Sequence, residues 1–429
     1  MKSENNLEEL DMSFKGWKRA KLGDIVEISS SKRIFAKEYT QKGIPFYRGK
    51  EVIEKSQGNK ISNELFISVD RYTEIKEKFG VPKQGDILLT SVGTLGVPYL
   101  VQEEEFYFKD GNLTWFKNFS SQCDNKFIYL WLQSSFCRNQ IYAKAIGSTQ
   151  KALTIETLKN FELLLPPLEE QKAIADILSS LDDKIELNNQ MNETLEEMAQ
   201  ALFKRWFVDF EFPNEEGKPY KSSGGEMIES ELGMIPKGWN VKSLDQIASF
   251  LNGLAMQKFR PNEDEDSLPV LKIKELRQEK VTSDSDRCTV NIDSKYKVND
   301  GDVIFSWSGT LDARIWCGGE VGLNQHLFKV TSDLYPKWFY YMWVVEYLHQ
   351  FIRIAADRAT TMGHIKRQHL TEAQVLVAPK DQLDKMGKVL TPIIEKIIQN
   401  KVEKRSLESL RDTLLPKLMS GEIRVSELC

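Results

Sequence analysis

One domain plan is written twice in this 429-residue chain. The first copy opens Gly16-Trp17-Lys18-Arg19-Ala20-Lys21-Leu22-Gly23-Asp24-Ile25, the second Gly238-Trp239-Asn240-Val241-Lys242-Ser243-Leu244-Asp245-Gln246-Ile247. Midway, Gly85-Asp86-Ile87-Leu88-Leu89-Thr90-Ser91-Val92-Gly93-Thr94-Leu95 is echoed by Gly301-Asp302-Val303-Ile304-Phe305-Ser306-Trp307-Ser308-Gly309-Thr310-Leu311. Each copy ends in a proline step, Pro167 or Pro379, followed by a long helical pattern. The offsets of 222, 216 and 212 residues drift slowly, as duplication followed by loop divergence leaves them. Two globular units, each followed by its own helix, imply a pseudo-two-fold molecule suited to a target in two parts.

The expected organisation is an N-terminal arm (1–15), a globular unit (16–165), a helical region (166–210), a linker (211–237), a second globular unit (238–378) and a second helical region (379–429). The linker carries Pro213, Pro219, Ser222, Ser223, Gly224 and Gly225. The fold class is α+β: two mixed α/β units separated by two long antiparallel coiled-coil helices. In the units, short β-rich runs such as Asp86–Thr90 and Val303–Trp307 alternate with helical stretches such as Lys126–Ser134 and Trp338–Glu346.

The helical regions show their seam directly. Ile174, Leu178, Leu181, Ile185, Leu195, Ala199, Leu202 and Trp206 recur on steps of four and three, broken by Asn188 and Asn192. Met386, Leu390, Ile393, Ile397, Leu407, Leu414 and Leu418 repeat the pattern, with Asn400 at the position of Asn188. Buried amides in an apolar stripe fix the register of a helix pair. The residues expected in the helix pairing are Ile174, Leu178, Leu181, Ile185, Asn188, Leu390, Ile393, Ile397 and Asn400. Pro392 after Thr391 predicts that the second helix restarts there.

Charge separates the segments. Residues 166–210 hold 4 Lys/Arg against 10 Asp/Glu, and residues 379–429 hold 10 against 8, which favours pairing of the two helices with each other. The first unit holds 22 against 17 and the second 17 against 18, so the net charge of −5 conceals neutral to mildly basic globular units. No apolar run reaches the ~20 residues of a membrane span, and the N-terminus lacks a secretory leader. Five cysteines without CxxC spacing suggest free thiols in a reducing cytoplasm and argue against zinc.

Residue types suited to nucleic acid gather in the loops. In the first unit they are Lys32, Arg33, Arg48, Lys50, Ser91, Thr94, Lys109, Asn112, Thr149 and Lys151. In the second they are Gln257, Lys258, Arg260, Lys272, Lys274, Ser308, Thr310, Arg314, Asn324, Gln325, His326, His364, Lys366 and Arg367. Arg and Lys pair with guanine edges or phosphates, Asn and Gln with adenine edges. The Gly-Asp and Gly-Thr-Leu elements read primarily as structural turns, with phosphate contact by their N–H groups as the alternative.

No GxxxxGK[ST], HExxH or GxSxG pattern is present. Leu165-Pro166-Pro167-Leu168 lacks the polar residue and the aromatic of an amino-methyltransferase motif, and all four histidines fall in the second half. A duplicated catalytic histidine is thereby excluded. The chain reads as a reader without chemistry or metal of its own.

The Gly-Trp openings, the Gly-Asp and Gly-Thr segments, Leu164-Leu165-Pro166-Pro167-Leu168-Glu169-Glu170-Gln171, Ala201-Leu202-Phe203-Lys204-Arg205-Trp206-Phe207 leading into Val208-Asp209-Phe210-Glu211-Phe212-Pro213, and Leu415-Pro416-Lys417-Leu418-Met419-Ser420-Gly421-Glu422-Ile423 resemble the specificity (S) subunit of type I restriction–modification systems. The resemblance implies two target recognition domains, each reading one half of an asymmetric double-stranded DNA site. It implies helices that set the spacer and hold two methyltransferase (M) subunits, joined by motor-nuclease (R) subunits. S-adenosylmethionine, ATP and magnesium would be used by those partners, in the cytoplasm. The alternatives are the specificity subunit of a fused methyltransferase–nuclease system, a protein-only coiled-coil scaffold, and, least favoured, a self-sufficient methyltransferase.

Overall fold

The computed structural model describes residues 16–146, 151–357 and 363–425. Packing divides the chain into two units, Met1–Glu186 with Leu407–Cys429, and Leu187–Ser406. The two long helices, Leu168–Phe203 and Lys380–Ser420, each contribute one segment to each unit.

The first unit holds two four-stranded sheets. In one, the order is Glu27–Ser29, Leu113–Lys117, Ile87–Thr90, Pro98–Leu100; in the other, Tyr39–Thr40, Phe66–Ile67, Ile44–Tyr47, Tyr107–Phe108. Ile87, Leu88 and Leu89 are all fully buried, because the sheet is covered on both faces and strand alternation is lost. The second unit repeats the plan: Ser249–Asn252, Leu327–Thr331, Val303–Ser306, Asp312–Ile315 in one sheet, and Arg287–Thr289, Ser267–Leu271, Val321–Leu323, Lys297–Val298 in the other.

Each unit closes on itself. Lys18–Lys21 pairs antiparallel with Glu162–Leu165, and Asn240–Ser243 with Gln374–Val377. The opening tryptophan then locks onto the first turn of the helix that follows. Trp17 Nε1 donates to Glu170 Oε2 at 3.0 Å and Trp239 Nε1 to Gln382 Oε1 at 2.8 Å. Gly16 and Gly238 face Pro167 and Pro379, where an added Cβ would lie 3.6 Å from the proline Cγ in both cases.

Within each unit the helix segments run antiparallel. In the first, Ile174 and Leu178 share a core with Leu418 and Met419, and Asp182 meets Arg411 at 2.9 Å. Arg424 grips Glu170 with two bonds of 2.7 and 2.8 Å. Leu181 is half-buried and Ile185 buried. In the second unit, amides line the seam: Asn400 Nδ2 donates to Asn192 Oδ1 at 3.0 Å and Asn188 Nδ2 to Glu403 Oε2 at 2.9 Å. All three asparagines are buried. Leu390, Ile394 and Ile397 supply the apolar contacts, with Ile393 half-buried.

Two helical expectations change. The second helix does not restart at Pro392; it runs unbroken from Lys380 to Ser420. Proline costs about 3 kcal/mol inside a helix, and the burial of Leu390, Ile394 and Ile397 on either side offsets that. The first helix, expected to Phe210, ends at Phe203 and passes into a wide turn, Lys204–Val208. That turn buries Trp206 and Phe207 among aromatic residues, with Phe207 5.2 Å from Trp239 and 5.6 Å from Phe339.

Candidate nucleic-acid interface

Hydrogen bonds to and between backbones gather distant loops of the first unit into one corner. Ser31 Oγ donates to Phe108 O at 2.8 Å, and Lys109 N to Tyr47 O at 2.8 Å. Ser91 N donates to Asn112 O at 2.8 Å, and Leu153 N to Ser91 O at 2.9 Å. Loops around residues 31–33, 48–50, 91–94, 109–112 and 151–153 therefore meet. Lys32, Arg33, Lys50, Thr94 and Lys151 are exposed there, and Arg48, Lys109 and Asn112 half-buried. Thr149 lies outside the described residues. Arg33 pairs with Asp110 at 2.9 Å, and Lys32 Nζ lies 4.5 Å over the Phe79 ring.

The second unit makes the same corner. Gln325 N donates to Leu254 O at 2.8 Å, and Asn324 N to Leu271 O at 3.2 Å. Trp307 N donates to His326 O at 3.4 Å, and Ile365 N to Trp307 O at 3.0 Å. Gln257, Lys258, Arg260, Lys274, Thr310, His364, Lys366 and Arg367 are exposed, and Lys272, Gln325 and His326 half-buried. Lys272 pairs with Asp286. Arg367 donates to Phe250 O at 3.1 Å and stacks over Phe328. An added Cβ on Gly253 would sit 2.2 Å from Asn324 O, so only glycine permits this approach of the two loops.

Three sequence candidates are buried instead, and a fourth, Arg314, is half-buried in an ion-pair network. Ser91 is buried, its hydroxyl 2.5 Å from that of Thr114. Ser308 is buried against His326 Nδ1 at 2.9 Å. Asn324 is buried and accepts the His326 N–H at 3.2 Å. Arg314 is held by Asp312 at 2.7 Å and Glu279 at 3.5 Å. Glu279 in turn binds Lys401 of the second long helix at 2.7 Å, and Lys401 reaches Glu196 of the first at 3.3 Å. Arg314 thus joins a network anchoring the unit to its helices. Burial opposes the charge on Lys401, but Glu279 and Glu196 more than reverse that and raise its pKa.

The glycine elements are turns. Gly85 N donates to Val101 O and Gly301 N to Trp316 O, at 3.0 and 2.7 Å. Their φ angles are +90° and +89°. The N–H groups of both Gly-Asp elements are satisfied within the fold, which leaves them no donor for a phosphate.

Sequence reading missed two buried carboxylates. Glu51 and Glu275 lie three residues into corresponding short helices that follow strands Ile44–Tyr47 and Ser267–Leu271. Glu51 Oε2 accepts the Arg48 N–H at 2.8 Å and its Oε1 meets Arg48 Nη2 at 2.5 Å. Burial alone would raise the Glu51 pKa; the Arg48 bonds outweigh it and hold the carboxyl below its usual range. Glu275 accepts the Lys272 N–H at 3.2 Å. The signal was present as Arg48-Gly49-Lys50-Glu51 and Lys272-Ile273-Lys274-Glu275, a basic residue and a glutamate at capping-box spacing. Trp307 was also passed over; its indole donates to Asn252 Oδ1 at 3.0 Å.

Cys123, Cys137, Cys288 and Cys317 are free, buried thiols. Burial pushes Cys123 and Cys137 up to about 12 and Cys317 up to about 11. No metal-holding group and no helix long and apolar enough to cross a membrane occur among the described residues.

The model of the type I restriction modification DNA specificity domain matches this chain twice, over residues 14–197 and 236–409. The chain belongs to the type I restriction–modification specificity-subunit family. It is 30% identical to the type I restriction enzyme MjaIX specificity subunit of Methanocaldococcus jannaschii, over 96% of this chain and 95% of that one. It is 24% identical to the HindI specificity subunit of Haemophilus influenzae, over 70% and 77%. The fold is similar to the crystal structure of a type I S subunit from M. genitalium, with a TM-score of 0.59 and 17% identity over 94% of this chain and 96% of that one. Specificity subunits are the non-catalytic DNA-recognition components of type I restriction complexes, and this chain is one of them, with target recognition domains. As a subunit it works assembled with the other subunits of that complex.

Proposed function

We propose that each target recognition domain reads one half of a split, asymmetric site on double-stranded DNA through its loop corner. The paired long helices set the gap between the halves and dock two methyltransferase subunits, which motor-nuclease subunits join. The observation that carries this reading is the loop corner built twice on the same hydrogen-bond frame. Exposed Lys50, Lys151, Lys274 and Lys366 suit phosphates. Leu187, Met198 and Val389 stand exposed on the second unit's helix segments and Leu410 on the first unit's, apolar positions available to protein partners. S-adenosylmethionine, ATP and magnesium belong to those partners in this reading, and the complex acts in the cytoplasm.

The test is genome-wide adenine methylation, by long-read sequencing, in cells expressing this chain with its neighbouring methyltransferase subunit. Two short defined blocks around a fixed gap are expected. Methylation unchanged from cells lacking the chain overturns the reading. Lengthening both helices by the same one or two turns should widen the gap and leave both blocks intact.

A further inference from the structure

The two corners are built on one frame but furnished differently, and the hydrogen bonds say which residues correspond. Thr90 pairs with Leu113 as Ser306 pairs with Leu327. Ser91 N bonds Asn112 O as Trp307 N bonds His326 O, and Val92 bridges Ala152 as Ser308 bridges His364. Ser91, Val92, Asn112 and Ala152 of the first unit are thus replaced in the second by Trp307, Ser308, His326 and His364. Next to these, Gly111 gives way to Gln325. Small or neutral residues in one copy become an aromatic and polar cluster in the other, with the supporting backbone unchanged.

That cluster is organised around Gln325. Its Nε2 lies 3.3 Å from His326 Nε2, and His326 Nδ1 lies 2.9 Å from Ser308 Oγ. When the Gln325 amide nitrogen donates to Nε2, the ring proton sits on Nδ1 and is donated to Ser308. Trp307 stands 6.2 Å from the His326 ring and 6.4 Å from that of His364. Its own indole is tied to Asn252, so the cluster is braced from a neighbouring strand. Ser308 is buried, while Gln325 is partly open to solvent at the corner. The chain of bonds runs from the interior outward and ends on an amide, the group whose paired donor and acceptor match an adenine edge.

We infer that Gln325 is a base-reading side chain of the second target recognition domain, that it selects adenine at one position of that domain's half-site, and that His326, anchored by Ser308, is its positioning residue. This rests on the split-site reading proposed above. The first domain has Gly111 at the corresponding place, and its own corner amide, Asn112, lies one position further on.

The test uses the assembled methyltransferase complex and the same long-read methylation map. The unaltered chain must first yield a two-block motif; failure there sinks the split-site reading, not this inference alone. With that motif in hand, Gln325→Ala should cut discrimination at one adenine of one block by about 10-fold or more, leaving the other block intact. Gln325→Glu should shift preference at that same position toward cytosine, whose N4 amino group a carboxylate accepts. His326→Phe should relax that same position without touching any other. An unaltered motif in Gln325→Ala, or loss of methylation spread evenly over both blocks by a complex that still assembles, overturns the assignment. If Gln325→Ala prevents assembly, Gln325→Glu decides by the same readings.

Discussion

The two target recognition domains agree where they must hold their shape and differ where they face outward. Both close the first strand on the last, seat a tryptophan on the following helix and turn at a Gly-Asp pair. Yet Trp17 and Trp239 sit in unlike surroundings. Trp17 is 8% exposed and shares Glu170 with Arg424, whereas Trp239 is 2% exposed and packed among Phe207, Phe210 and Phe212. The lesson is that duplication preserved the geometry of closure while each copy found its own way to stabilise it.

The sharpest way to break that comparison is to remove each tryptophan. Trp239→Ala should destabilise the second unit by about 3–5 kcal/mol, the usual range for losing a large buried aromatic. Trp17→Ala should cost clearly less, because Trp17 is more exposed and the Glu170–Arg424 pair beside it is kept. Unit-resolved hydrogen exchange would show it, and equal losses would refute the contrast.

The helix seam offers a second contrast, charged in the first unit and amide-lined in the second. Asn192→Leu or Asn400→Leu alone strands a buried amide and should cost about 1–3 kcal/mol. The double substitution should recover part of that loss, which a double-mutant cycle by denaturant unfolding would measure. Strict additivity would mean that the two amides are not coupled.

The capping glutamates give a third. Glu51→Gln forfeits charge-assisted bonds to the Arg48 guanidinium and should cost about 1.5–3 kcal/mol; Glu275→Gln, whose partners are the Lys272 N–H and the Ser285 hydroxyl, should cost less, about 1 kcal/mol. Because the folded state lowers the Glu51 pKa, its contribution is present above the ordinary value of 4.5 and fades as pH falls through the lower folded value. The stability gap between wild type and Glu51→Gln should therefore be flat near neutrality and close only in acid. A gap that widened in acid would contradict the assignment.

The smallest effect concerns phosphate contacts. Lys151→Ala and Lys366→Ala should each lower the salt slope of DNA binding by about 1 and weaken all sequences alike. A changed methylation motif would instead make either lysine a base reader.

Much of this architecture was legible beforehand, because repeats and helical stripes are properties of residue order. The Gly-Trp openings, the proline steps and the asparagine breaks each correspond to a contact in the folded chain. The corner itself was legible only as a set of residue types. Which candidates face inward depended on sheet register: Ser91 and Ser308 look like loop hydroxyls in the sequence but sit where a strand end meets a neighbouring loop. Arg314 looked like a DNA contact because nothing local announced Glu279 and Lys401, which lie 35 and 87 residues away in the chain. Pro392 misled for the opposite reason, since a local rule was overridden by burial on both sides of it.

The strand pairing at the mouth of each unit has a genetic consequence. Lys18–Lys21 lies alongside Glu162–Leu165, so everything between them leaves and re-enters the framework at nearly one place; Asn240–Ser243 and Gln374–Val377 do the same. A recombination event that exchanged the intervening segment would meet the same two-stranded doorway on its return, and in the second unit would have to restore the Glu279 contact to Lys401 of the long helix. The module is thus a cassette: its two ends lie side by side, so one segment can be exchanged as a whole.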